Sequence, residues 1–141
     1  MTASHKSSKI YLYTHPSINP KRSVITMYDD NCLFCKIIKG DIPSTKVYED
    51  EYCYAFNDID PQAPTHILVI PKEHIRSAAA VTPENSKYVS HIFEVIAKLA
   101  EEKGMTEGFR VVSNCGESAG QSVFHLHFHV MSGRPFTWPA G

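Results

Sequence analysis

The sequence predicts an α+β domain on a mainly antiparallel five-stranded sheet, and three observations carry that prediction. Five short segments rich in β-branched or aromatic residues are each bounded by Pro, Gly or Asp. One long amphipathic helical pattern and one short one accompany them. The strands come in runs, without the regular βαβ alternation of a parallel sheet. With 141 residues the chain has length for one domain and its core, and none for two.

Residues 1–28 carry Lys6, Lys9, Lys21 and Arg22 and no acid, contain Pro16 and Pro20, and follow neither period. They read as a flexible basic extension before a domain spanning 29–141. A plain tail and an organelle transit peptide are the two readings of such a composition. Leu33 or Phe34 with Ile37 and Ile38 forms one or two helical turns closed by Gly40. Lys46 to Glu49, Cys53 to Asn57 and His66 to Pro71 are three strands, with Pro61, Pro64 and Pro71 marking ends or edges. The long helix runs from Pro83 to Lys103, with Thr82 as cap and Gly104 after the last turn. Its inward stripe is Val89, Ile92, Phe93, Ile96 and Ala100. Phe109 to Ser113 and Val123 to Met131 are the last two strands.

Charge narrows the function. Residues 29–141 hold ten basic and fifteen acidic residues, which is no footprint for a long nucleic acid and leaves room for a mononucleotide-sized anion. The apolar stretches are far shorter than the roughly 20 residues that cross a bilayer, so no membrane span is expected. Cys32, Cys35, Cys53 and Cys115 are too few and too unevenly spaced for a secreted disulfide scaffold, which points to a reducing compartment: the cytoplasm, with the nucleus also open.

The chemistry concentrates in Gln121-Ser122-Val123-Phe124-His125-Leu126-His127-Phe128-His129-Val130-Met131. In a strand, His125, His127 and His129 share one face, while Leu126, Phe128 and Val130 face the long helix. Same-face neighbours are about 6.5 to 7 Å apart, so one metal ion takes two such rings but not three. Rings that titrate near neutrality suit phosphorus chemistry, one attacking and its neighbours donating to phosphoryl oxygens. Asn114 to Ser122 is a small-residue loop that lets backbone N–H groups approach a phosphate. Gly116 to Gly120 also spells G-x-S-x-G, but a strand follows where a nucleophile elbow needs a helix. Cys32-x-x-Cys35 is half of a zinc signature; two buried thiols are the other reading. His5, His15, His74 and His91 read as solvated or structural, and Cys53 and Cys115 as buried thiols.

Cys32-Leu33-Phe34-Cys35-Lys36-Ile37-Ile38, Phe56-Asn57-Asp58-Ile59, the run Pro61 to Lys72 and the histidine strand together resemble the histidine triad (HIT) superfamily. Arg134 to Gly141 with Trp138-Pro139 is similar to its Hint branch, the histidine triad nucleotide-binding proteins. The resemblance implies a homodimer with one continuous sheet across both subunits, acting as a purine nucleoside phosphoramidate hydrolase on adenosine 5′-phosphoramidates. It implies His127 as the nucleophile forming a nucleotidyl-histidine, and His129 as the ring bonded to a phosphoryl oxygen. Ser122, Gln121 and Gly120 complete the phosphate cradle beside Asn114. The residues do not decide which group protonates the leaving amine, for which His66 and His125 are the candidates. Asp58 would accept from the ribose hydroxyls, Phe34, Ile37, Ile59 and Leu68 would wall the purine, and Trp138 would reach toward the partner's site. Some HIT proteins hold a structural zinc, for which Cys32, Cys35, His66 and His125 are the set here; catalysis itself needs no cofactor. A non-catalytic adenosine-nucleotide sensor or adaptor is the competing reading. A metal-dependent hydrolase or cupin-like oxygenase is disfavoured, because His-x-His-x-Asp-His is absent.

Overall fold

The computed structural model describes residues 9–13 and 24–141. In chain order the elements are β1 Lys9–Tyr13, β2 Val24–Tyr28, α1 Leu33–Lys39, β3 Lys46–Glu49, β4 Cys53–Asn57, β5 Thr65–Pro71, α2 Ser86–Glu102, β6 Phe109–Val112 and β7 Phe128–Ser132. Strands β3 to β7 form one sheet in the order β3-β4-β5-β7-β6, every pair antiparallel. That is the expected α+β architecture, with α2 as the long helix and α1 as the short one.

Side-chain alternation in β5 explains both layers. Ile67 and Val69 face α2, where Ile92, Val95, Ile96 and Leu99 complete the larger core. Leu68 and Ile70 face the other way, onto Phe34 and Ile37 of α1. Cys32 caps α1, its sulfur accepting the Cys35 N–H at 3.4 Å. Gly40 ends the helix at φ 89°, a conformation costly for any residue with a Cβ.

Part of the segment read as a flexible extension is an antiparallel hairpin: β1 pairs with β2, with Lys9 opposite Tyr28. The sequences KIYLY and VITMY are rich in β-branched and aromatic residues, and pairing satisfies backbone groups that either segment alone would leave open. The hairpin joins the domain where the His74 N–H donates to Met27 O at 2.8 Å. The rest of that extension, with His5 and His15, lies outside the described residues.

Three expectations are corrected. α2 begins at Ser86 rather than Pro83, because residues 83–85 form a turn in which Asn85 Oδ1 accepts the Thr82 N–H at 2.7 Å. Its buried stripe is Tyr88, Ile92, Val95, Ile96, Leu99 and Ala100, while Phe93 is 47% exposed and meets Phe128 edge-on. β7 begins at Phe128, not Val123. Upstream the chain leaves the sheet, and the Leu126 N–H bonds Ile75 O at 2.6 Å instead of a strand.

His91 is structural, as the sequence suggests: its Nε2 pairs with Asp50, tying α2 to the turn after β3. Burial pushes the Asp50 carboxyl up, but His91, the Tyr52 and Cys53 N–H groups and the Tyr48 hydroxyl outweigh it and hold the group below its ordinary value. Among the described residues no helix is long and apolar enough to cross a membrane.

Candidate functional site

Two clusters meet at the start of β7. In the first, His127 is 6% exposed and packs edge-on against Phe34, with ring centroids 5.1 Å apart. Its Nδ1 lies 2.7 Å from His125 O, an acceptor only, so Nδ1 carries the proton and Nε2 presents a lone pair. Burial lowers its basicity, with the nearby His125 ring adding to the effect and the His125 carbonyl opposing it. The ring is therefore neutral at neutral pH and nucleophilic at Nε2.

The proton on His129 follows from a chain of three bonds. The Gln62 N–H donates to His66 Nδ1 at 3.0 Å, which forces the His66 proton onto Nε2. His66 Nε2 then donates to His129 Nδ1 at 2.9 Å, which leaves the His129 proton on Nε2. These tautomers are assigned from the partners each nitrogen faces. Burial, followed by the His127 and His66 rings, pushes His129 down to about 4, so it is a neutral donor. Asp58 stands beside both rings, its Oδ2 3.4 Å from His66 Nε2 and 3.8 Å from His129 Nδ1. The site thus places a neutral imidazole with a free Nε2 lone pair next to a neutral Nε2–H donor, their ring centroids 5.1 Å apart.

The second cluster joins Cys32, Cys35, His74 and His125, whose ligand atoms all lie within 4.8 Å of one another. His125 Nδ1 is 3.4 Å from Cys32 Sγ and 3.5 Å from Cys35 Sγ, and His74 Nδ1 is 3.4 Å from Cys35 Sγ. Metal–ligand bonds of about 2.0 to 2.3 Å at tetrahedral angles separate ligand atoms by about 3.3 to 3.8 Å, so the spacing fits zinc. His125 Nε2 donates to Pro71 O at 2.9 Å, which points the Nδ1 lone pair at the sulfurs. His74 Nε2 faces Asp29 Oδ2 at 3.9 Å. The Cys35 thiol, acting against burial, pulls the Cys32 thiol below its ordinary value, and that same contact together with burial pushes the Cys35 thiol up. A dication resolves this pairing by taking both sulfurs as thiolates.

The HIT domain family model matches residues 39–136. The chain belongs to that family. An uncharacterized HIT-like protein of Synechocystis is 45% identical over 112 residues, covering 79% of this chain and 98% of the relative. A 14 kDa zinc-binding protein of Zea mays is 44% identical over 124 residues, covering 86% and 97%. The crystal structure of a HIT family hydrolase from Legionella pneumophila superposes with a TM-score of 0.77 at 48% identity, covering 79% of this chain and 100% of that one.

Within this HIT domain the histidine row divides. His127 and His129 lie together with Asp58, whereas the His125 ring is fully buried among the cysteines. The three rings keep the side of the sheet away from α2, opposite Leu126, Phe128 and Val130, and the Phe34 ring meets both His125 and His127, so the row divides by partners and not by face. His66 is corrected as a metal ligand. It lies in β5 opposite Met131 of β7, which directs its ring to His129 and Asp58, and His74 occupies the place expected for it.

Gln121 is corrected as a phosphate contact. Its Oε1 accepts the Gly116 N–H, its Nε2 donates to Arg76 O and Val123 O, and its own N–H bonds Gly116 O. Every polar group of Gln121 but its carbonyl is thus committed to folding the 114–122 loop. Gly120 gives that loop a left-handed turn at φ 94°, and Gly116 takes an extended positive-φ conformation at φ 87° and ψ 160°, both costly for a residue with a Cβ. Ser118 sits on a short 3-10 turn followed by extended chain, which is no nucleophile elbow. Ser122 is exposed ahead of the histidines, and Asn114 is half-buried with Nδ2 beside Gly120. Phe34, Ile37 and Leu68 line one apolar cluster; Ile59 and Trp138 are 99% and 85% exposed. Cys53 is buried as expected, whereas Cys115 is exposed. Ser113, which donates to His127 O at 3.0 Å and anchors that residue's backbone, carries no signal in the sequence beyond its place at the end of a strand.

Proposed function

We propose that this HIT protein is a nucleotidyl-histidine hydrolase that cleaves the P–N bond of purine nucleoside 5′-phosphoramidates. The observation that carries the reading is the pair of opposed tautomers: a free Nε2 lone pair on His127 beside a protonated Nε2 on His129. His127 Nε2 attacks the α-phosphorus while the His129 Nε2–H bonds a phosphoryl oxygen as its charge grows. The P–N bond breaks, and its electron pair leaves with the amine, which takes a proton from solvent. Water then attacks phosphorus, the N–P bond to His127 breaks, and a nucleoside monophosphate departs. Asp58 accepts from the ribose hydroxyls, while Phe34, Ile37, Ile59 and Leu68 wall the base. Ser122, Gly120 and Asn114 border the phosphate. Cys32, Cys35, His74 and His125 hold a structural zinc that pins α1 and the 71–74 turn to the histidine segment.

The functional unit is a homodimer joined through β6, with Trp138 reaching toward the partner's site. Of the two sheet edges, β3 is bulged between Lys46 and Tyr48 and charged at both ends, features that discourage pairing. β6 is FRVV with Phe109 40% exposed, suited to a second copy of itself. The expected mass in sedimentation is twice the 15.8 kDa of the chain; a monomer at micromolar concentration removes the dimer.

Hydrolysis of a fluorogenic adenosine 5′-phosphoramidate by the purified protein tests the reaction. Steady turnover with release of AMP is expected. Tight AMP binding without turnover would overturn the enzymatic reading in favour of a nucleotide sensor.

A further inference from the structure

After β7 the chain folds back on the loop that feeds the histidine chain. At Gly133 the φ is +95°, and a Cβ there would lie 2.8 Å from Pro64 Cβ, so only glycine lets the two segments approach this closely. One residue on, Arg134 Nε donates to Gln62 O at 2.9 Å, and its guanidinium covers the Phe136 ring at 4.3 Å. The Gln62 N–H is the donor that fixes His66. A continuous path therefore runs from Arg134 through residue 62 to His66 and on to His129.

We infer that Arg134 is a positioning residue for the reaction proposed above, holding residue 62 so that its N–H keeps His66, and through it His129, in the donor-presenting tautomer. A neutral imidazole carries its proton on either nitrogen, and the partner of the other nitrogen decides which. With the Gln62 N–H turned away, His66 can protonate at Nδ1 and present Nε2 as an acceptor. His129 Nδ1 must then donate, and His129 Nε2 becomes a lone pair that repels a phosphoryl oxygen. Asp58 Oδ2, 3.4 Å from His66 Nε2, also favours the proton there, so losing the bond at residue 62 lets the opposing tautomer compete with the stabilising one and leaves a mixture of the two.

Arg110 supplies the control. It lies opposite Met131, which lies opposite His66, so it shares that row of the sheet. Its guanidinium bonds Thr137 O and lies over the same Phe136 ring at 5.1 Å, holding the tail rather than the 61–64 loop.

The test uses full-length protein with nitrogen-15-labelled histidine, as wild type and as Arg134→Ala, Arg134→Lys and Arg110→Gln. In wild type, His66 is expected unprotonated at Nδ1 and protonated at Nε2. Arg134→Ala mixes the two tautomers and lowers kcat by about tenfold, with KM and AMP affinity within about twofold. Arg134→Lys, whose ammonium can still reach Gln62 O, recovers most of both readouts. An unchanged His66 tautomer in Arg134→Ala overturns the inference, as does the same tautomer mixing in Arg110→Gln. This inference rests on the phosphoramidate reading for its rate effect only. Absence of wild-type turnover would refute that reading, while the imidazole signals still decide the role of Arg134.

Discussion

Replacing His127 by alanine is expected to reduce phosphoramidate turnover by at least about 10³-fold while AMP affinity stays within about threefold. The asymmetry follows from what the ring touches. Its Nδ1–H is committed to His125 O, and in the proposed reaction its Nε2 is the nucleophile, while Phe34, Leu68 and Asp58 are the groups proposed to hold the base and ribose. Binding survives the truncation because those groups remain, whereas the covalent step has no substitute: His129 Nδ1 is occupied by His66 and its Nε2 carries a proton. The pH profile gives an independent check. Burial lowers the basicity of His127, so its free base persists below the ordinary histidine value of about 6.5. As pH falls through the lowered pKa the ring protonates and the lone pair is lost. The acid limb of kcat/KM is therefore expected below pH 6.5. A limb above that value, or a His127→Ala protein retaining more than a few per cent of activity, would remove His127 as the nucleophile.

The local elements were legible because local chemistry decides them. Proline and aspartate bracket β3, β4 and β5 at nearly the expected residues, and Gly40 closes α1 where a left-handed residue is needed. The start of α2 misleads because Thr82-Pro83 has the composition of a cap and first turn, while the Asn85 side chain makes those residues a separate turn. The candidacy of His127 could be read from the sequence too, since it rests on a motif within one segment. What sequence could not supply is which distant groups share a pocket. His74 is 39 residues from Cys35, and His125 is 90, so their meeting depends on the order of the strands. His66 looked equally available to the cysteines until its position in β5, opposite Met131, placed it with Asp58. The division of the histidine row was hidden for a related reason: alternation puts the three rings on one side, but the cysteines of α1 and His66 of β5 decide which partners each ring meets.

Removing metal is expected to lower the melting temperature by roughly 8 to 16 °C. The size follows from linkage: a ligand held at about a thousand times its dissociation constant stabilises by about 4 kcal/mol, and a domain near 150 residues shifts by about 2 to 4 °C per kcal/mol. The four donors come from three segments, the start of α1, the turn after β5 and the stretch before β7, so a bound ion closes loops that the hydrophobic core alone leaves to its own packing. Without it, Cys35 and His125 remain fully buried and the Cys32 thiol is pulled below its ordinary value against the opposition of burial. Elemental analysis of the reduced protein should find one zinc per chain, and calorimetry before and after chelation reads the shift. Cys35→Ser should reproduce the chelated state without any chelator, which separates loss of the ion from side effects of the reagent. Protein that carries no metal and melts unchanged after chelation would sink the zinc assignment. The effect on catalysis is indirect, because His125 presents its ring to the cysteines and its carbonyl to His127 Nδ1. Loosening that residue leaves the nucleophile chemically intact but less firmly held, so at temperatures well below the apo melting point kcat should fall by only about tenfold, far less than His127→Ala costs.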